Sequence, residues 1–214
     1  MSRVNLVAVG VTVVFVGVAL TDIVVGGATG QHPLSEPAEP SVAVAVAVLH
    51  TLCYAALVAV LLTVGRDALP AGRFCSVLRW VLVSTYGAMA VGMVLAATGV
   101  EPEGAAALVV NLAFVSMLLV PAVLGAVMLA RGDRSPSAWL LAAAAPALVL
   151  AVVLDVSGSA WAHPAYAEIL ANGGLALLGW RSRTRTVPAE ELSADARTGA
   201  SAGSSTPSSS PRTP

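Results

Sequence analysis

Six apolar runs, separated by short polar segments, constrain this chain more than any other feature of its sequence. A helix needs about 20 mostly apolar residues to cross the hydrocarbon core of a bilayer. We therefore predict one membrane-spanning helix for each run. The predicted spans are residues 4–26, 41–64, 76–98, 105–130, 137–156 and 164–180. The last is the shortest, and its length of about 25 Å at 1.5 Å per residue suffices only for a nearly upright helix.

The composition supports this interpretation. Hydrophobic residues make up 57% of the 214 residues and charged residues only 11%, against about 45–50% and about 25% in an average soluble domain. We predict an all-α fold in which residues 1–183 form a polytopic six-helix transmembrane domain, with the lipid bilayer as its main partner. Residues 184–214 are mostly Ser, Thr, Pro, Ala and Gly with scattered charge, and we predict that they form a disordered cytoplasmic tail. We expect no nucleic-acid partner and no cofactor.

The distribution of arginine predicts the orientation. All eleven cationic residues are Arg, and they lie at the N-terminus, in the second and fourth loops, near the start of the third span and after the last span. The first, third and fifth loops contain none. Because cytoplasmic loops carry an excess of Arg and Lys, this pattern predicts a protein of the cell membrane with both termini in the cytoplasm. A cleaved signal peptide is the alternative for the first run, but that run exceeds the usual 7–15 apolar residues.

Polar residues inside the spans are concentrated in the half that this orientation places outside. Counting at 1.5 Å per residue, Asp22 and Glu168 lie about 6 Å from the outer ends of their spans. Asn111 lies about 9 Å deep, and His50 and Asn172 lie about 13 Å deep. Glu168 and Asn172 are four residues apart and share one helix face. The inner half has no ionisable residue away from its boundary.

These five residues suggest a polar pocket. Ionisable groups within a membrane are costly and usually face the bundle interior or water, and a neutral histidine at the depth of His50 needs a partner for its N–H. We expect His50 to have a carboxylate or amide partner among Asp22, Asn111, Glu168 and Asn172. The alternative interpretation is structural: Asp22 and Glu168 reach headgroup water separately, and His50 is only one member of a satisfied buried pair.

Three classes of function follow. The first is a non-enzymatic membrane protein whose outer pocket binds a lipid headgroup or small molecule. The second is a membrane enzyme that uses His50 with Asp22 or Glu168 as an acid–base pair, or that holds a metal with His163 added. The third is a small proton-coupled carrier. Because no catalytic or metal-binding motif is present in the sequence, we assign no catalytic and no metal-binding residue and favour the first class.

Small residues at four-residue spacing predict where helices pack closely. Such stripes are Ala88–Gly92–Ala96 in the third span and Ala122–Ala126–Ala130 in the fourth, and Gly10 and Gly17 share a face of the first.

The arrangement of spans also resembles a known group. Together with RGDRSPSAW before the fifth span and GGLALLGWRSR at the end of the sixth, it is similar to uncharacterised six-span integral membrane proteins of high-GC actinobacteria. The resemblance covers the membrane part of the chain. It implies a six-helix fold and no particular activity.

Overall fold

The computed structural model describes residues 2–35, 37–100 and 103–180. Within these ranges the chain is helical and contains no strand. The helices are α1 (Arg3–Thr29), α2 (Pro40–Thr63), α3 (Gly65–Ala68), α4 (Arg73–Ala97), α5 (Ala105–Ala130), α6 (Pro136–Val156) and α7 (Ala165–Ala176). The predicted disordered tail, residues 184–214, lies outside the described residues.

Among the described residues, five helices are long and apolar enough to cross a membrane: α1, α2, α4, α5 and α6. The first and last residues of each of these helices lie within three residues of the ends of the corresponding predicted span. The boundaries follow local chemistry: Ser2 accepts a hydrogen bond from Asn5 N at the start of α1, and Ser135 accepts one from Ala138 N just before α6. Such caps satisfy the free N–H groups of a first helical turn.

The sixth predicted span, residues 164–180, is only partly helical. Helix α7 has 12 residues and is therefore about 18 Å long, well short of the hydrocarbon core of about 30 Å. Turns replace the helix after Ala176, where Leu178 N donates to Leu175 O and Gly179 has a φ of 78°. Within the described residues, five helices rather than six meet the length required of a membrane span.

The long helices alternate in direction, which gives the bundle two distinct ends. One end, called here the arginine end, carries the described arginines at helix termini and loops: Arg3, Arg66, Arg73, Arg79, Arg131 and Arg134. At the other end, called here the cavity end, α1, α4 and α6 finish and α2, α5 and α7 begin. Helices α2 and α4 pack side by side, as do α5 with α6 and α6 with α7.

The short helix α7 is held between these ends by buried polar contacts. Asn5 Nδ2 donates to Ala176 O at 3.2 Å and to Leu178 O at 2.8 Å, and Ser137 Oγ donates to Gly174 O at 2.7 Å. These bonds satisfy carbonyls that the end of a helix leaves without partners. They also place the end of α7 beside the first turns of α1 and α6, at the arginine end.

A close approach of two helices lies at a glycine outside the predicted stripes. A Cβ on Gly125 would lie 2.6 Å from Leu141 C and would also collide with Ala142 N, so α5 meets α6 backbone to backbone there. In contrast, Ala126 and Ala130 are exposed, and a Cβ on Gly10 or Gly17 would meet nothing within 4 Å. The predicted Ala122–Ala126–Ala130 stripe and Gly10–Gly17 face are therefore not packing surfaces within the described chain.

Candidate ligand-binding site

A cavity of about 390 Å³ opens at the cavity end of the bundle. Residues of α1, α2, α4, α5 and α7 form its walls, and the segment between α1 and α2 covers part of it. Its apolar lining includes Phe15, Ala19, Ala47, Met89, Met93 and Phe114. Its polar lining consists of Asp22, Ser35, His50, Tyr54, His163 and Glu168.

The structure brings together four of the five residues that the sequence suggested. Asp22, His50 and Glu168 line the cavity, and Asn172 lies directly beneath it, fully buried and hydrogen-bonded to Glu168. Asn111 does not join them, because it is exposed on the outside of α5. Its chain neighbour Val110 packs against the core instead, and successive residues point about 100° apart around a helix.

Asp22 is the most completely hydrogen-bonded group of the site. Its Oδ1 accepts from Leu34 N at 2.7 Å, and its Oδ2 accepts from the Ser35 hydroxyl and from His163 Nε2 at 3.2 Å. The side chain is only 2% exposed. Three donors from two loops therefore compensate for removing this carboxylate from water.

Two histidines lie beside Asp22. His32 Nδ1 is 3.7 Å from Asp22 Oδ2, and one ligand atom from each of Asp22, His32 and His163 lies within 4.8 Å of the others, a spacing that a metal ion could bridge. However, Ala165 N donates to His163 Nδ1 at 3.1 Å. A neutral ring that accepts at Nδ1 carries its proton on Nε2. We therefore assign His163 Nε2 as a donor to Asp22, which makes the contact between these two residues a hydrogen bond. His32 Nδ1 has no hydrogen-bond partner among the described residues.

Burial also affects the charge of His163. Desolvation lowers the pKa of His163 below its ordinary value and His32 acts in the same direction, while Asp22 opposes the shift. The net effect keeps the ring neutral, in agreement with the hydrogen-bond assignment above.

Two adjacent glycines allow the loops to close over α1. The His32 ring occupies the space where a side chain of residue 26 would project, and the Trp161 ring does the same at residue 27. Any Cβ at Gly26 or Gly27 would overlap these rings. The loops can therefore bring Ser35 and His163 down to Asp22 only because the last turns of α1 lack side chains here.

Glu168 belongs to a second buried network. The Tyr54 hydroxyl donates to its Oε1 at 2.7 Å, and Asn172 Nδ2 approaches the same oxygen at 3.4 Å. The Tyr86 hydroxyl donates to Asn172 Oδ1 at 2.8 Å. Both donors contact Oε1. Within the described residues, the other carboxylate oxygen of this cavity-lining side chain, Oε2, has no hydrogen-bond partner.

His50 does not form the carboxylate or amide pair expected from the sequence. Its Nδ1 donates to Val46 O at 2.8 Å, one helical turn back. Its ring lies edge-on to Phe15 and Tyr54, with centroids 5.1 Å and 5.8 Å away. Tyr54 follows His50 by four residues on the same face of α2, and it is Tyr54 that reaches the carboxylate of Glu168.

Four residues of the site were not predicted from the sequence: His32, Ser35, Tyr54 and Tyr86. The spacing of Tyr54 from His50 was a usable signal, because residues four apart share a helix face. Ser35 and His32 gave no comparable signal, because they lie in an irregular loop whose path depends on Gly26 and Gly27.

The fold and the site define a class. In the part of the chain that the structure describes, the protein is all-helical, with five helices that are apolar and long enough to span a membrane, and a partly polar cavity lies at one end of the bundle. Comparison with protein-family models, curated proteins and solved structures finds no match. The resemblance to six-span actinobacterial proteins stays a prediction.

Proposed function

We propose that this chain is a multi-pass protein of the cell membrane that binds a small ligand in the cavity at the end of its bundle. The observation that carries the proposal is a carboxylate, Glu168, with one unpaired oxygen on the wall of a largely apolar cavity. A cavity of about 390 Å³ falls within the range of about 300–1,000 Å³ that is usual for small-molecule sites. Apolar walls with a few convergent polar groups are also typical of such sites.

The proposal includes six crossings and an outward-facing cavity. Contacts at both ends of α7 support a sixth crossing: Ala165 follows the loop that reaches Asp22, whereas Ala176 and Leu178 accept hydrogen bonds from Asn5. The arginines at the opposite end support a cytoplasmic location for that end. The cavity would then open toward the outer leaflet or the external solution.

A non-catalytic role is better supported than acid–base chemistry. An acid–base pair requires His50 to lie within hydrogen-bond reach of a carboxylate or of a substrate proton. Within the described residues no carboxylate is hydrogen-bonded to the His50 ring, whose Nδ1 donates to Val46 O. The other histidine of the cavity, His163, is occupied by Asp22 and Ala165 N.

Filling the cavity tests the proposal. Ala47 is buried on the cavity wall of α2, whereas the next residue, Val48, is 47% exposed on the outside of the helix. Wild type, Ala47→Trp and the control Val48→Trp would be purified from membranes, and bound small molecules would be identified by native mass spectrometry. We expect a bound molecule in wild type and Val48→Trp, and about tenfold less of it in Ala47→Trp. Equal amounts in all three proteins, or none in wild type, would contradict the proposal.

A further inference from the structure

We infer that the ligand of this cavity is an organic cation, a protonated amine on an apolar body, and that Glu168 is its counter-ion. The inference rests on the proposed function and adds the chemical class of the ligand. It follows from a comparison of the charged groups that line the cavity.

The first step is the unequal use of the two oxygens of Glu168. Tyr54 and Asn172 both donate to Oε1. The side chain is 7% exposed, and it lines the cavity. A buried carboxylate can accept about four hydrogen bonds, so Oε2 offers a place for a charged donor. Among the described residues Oε2 is not one of the fully buried polar atoms without a partner, so a donor in the cavity can reach it.

The second step is the absence of arginine from the described cavity wall, where His163 is bonded to Asp22 and Ala165 N and His50 Nδ1 donates to Val46 O. The lining residues include no Arg, and within the described residues the arginines lie at the arginine end of the bundle. The other cavity carboxylate, Asp22, already accepts from Leu34 N, Ser35 and His163. Among the described residues of the cavity wall, Glu168 is therefore the carboxylate with an oxygen left for a positively charged ligand group.

The third step concerns the remaining walls. Phe15, Tyr54 and Phe114 place aromatic rings around the cavity, and ring faces attract ammonium groups within about 6 Å of their centroids. Met89 and Met93 add flexible apolar surface that adapts to the shape of a ligand body. An anionic group such as a phosphate would instead meet two carboxylates and no arginine, which argues against it.

Three soluble probes of one skeleton separate charge from shape: phenethylammonium (+1), 2-phenylethanol (neutral) and phenylacetate (−1). Their binding would be measured by calorimetry and thermal shift on the full chain in zwitterionic nanodiscs. The test variant is Glu168→Gln, whose amide oxygen can still accept from Tyr54, so that the hydrogen bonds to Oε1 are kept. The matched control is Glu103→Gln, which removes an exposed carboxylate outside the cavity. Ala47→Trp reports whether binding takes place in the cavity.

We expect wild type and Glu103→Gln to bind phenethylammonium more tightly than the other two probes. For Glu168→Gln, binding should be about tenfold weaker or more, as loss of a charge-assisted hydrogen bond predicts. Ala47→Trp should abolish it. The inference is overturned if phenethylammonium does not bind, or if Glu168→Gln binds it as wild type does. A third outcome separates the two proposals: wild type binds the neutral or the anionic probe but not phenethylammonium, and Ala47→Trp abolishes that binding. This outcome would contradict a cationic ligand and would support a ligand-binding cavity.

Discussion

Two carboxylates of the described residues, Asp22 and Glu168, lie inside the bundle, and they differ in the donors around them. Asp22 accepts three hydrogen bonds from loop residues, whereas the bonds to Glu168 come from α2 and from its own helix, α7. Asp22 therefore holds the loops against α1, and Glu168 connects the helices below. The depth of each residue was predictable from its position in an apolar run. The identity of its donors was not, because these depend on how helices rotate about their axes.

Tyr86→Phe tests the buried network beneath the cavity. The Tyr86 side chain is fully buried and its hydroxyl donates to Asn172 Oδ1 at 2.8 Å, so the change leaves a buried acceptor without its donor. We expect the free energy of unfolding in detergent to fall by about 1–2 kcal/mol. Tyr166→Phe is the control, because Tyr166 is only half-buried, and its effect should be within about 0.5 kcal/mol. Equal effects of the two changes would show that the Tyr86–Asn172 bond contributes nothing.

The neutral state of His163 predicts a dependence of stability on pH. Burial lowers its pKa below the ordinary value of 6.5, so at mildly acidic pH the unfolded chain binds more protons at this ring than the folded protein. The contribution of the neutral His163 ring to the free energy of unfolding is therefore complete above pH 6.5, the ordinary pKa of histidine, and is lost as the pH falls below it. We expect the melting temperature of wild type to fall between about pH 7.5 and about pH 5.5, and His163→Gln to reduce this fall. The neighbouring groups Asp22 and His32 are unchanged in the variant. An identical pH dependence in both proteins would contradict the prediction.

At the scale of the helices, long apolar runs were enough to predict five helices within three residues at each end. The sixth run contains Gly173, Gly174 and Gly179, and its helix ends early because internal side-chain donors satisfy its last carbonyls. An apolar run does not predict which side of its helix is buried in the bundle, because residues on every side of the helix are hydrophobic. That is why Asn111 was assigned to the pocket although it lies on the outside of α5.

Gly125→Ala tests the close approach of α5 and α6. A Cβ at residue 125 would lie 2.6 Å from Leu141 C and 2.7 Å from Leu141 Cβ, so one helix must move. We expect a loss of about 1–3 kcal/mol in the free energy of unfolding, which is typical of overpacking. Gly17→Ala is the matched control, because a Cβ there meets nothing within 4 Å. Since alanine favours a helix over glycine, this control should be neutral or stabilising. A neutral Gly125→Ala would show that the two helices are not in backbone contact.

At the scale of the whole molecule, cysteine labelling measures how many times the chain crosses the membrane and in which direction. Both native cysteines are buried, with Cys53 0% and Cys75 1% exposed. Single cysteines can therefore be added to the natural chain and labelled in intact cells with a membrane-impermeant maleimide. At the cavity end, Glu103 and Ser157 are exposed, and at the arginine end, Asp67 and Arg134 are exposed.

If the arginine end faces the cytoplasm, Glu103→Cys and Ser157→Cys should be labelled from outside, whereas Asp67→Cys and Arg134→Cys should react only after the cells are broken. The reverse pattern would invert the proposed orientation. Trp180→Cys then decides the role of α7, because residue 180 follows this helix and is 50% exposed. Six crossings place it on the same side as Arg134, protected in intact cells. Labelling of Trp180→Cys from the side of Ser157 would show that α7 does not cross, and that the chain has only five spans.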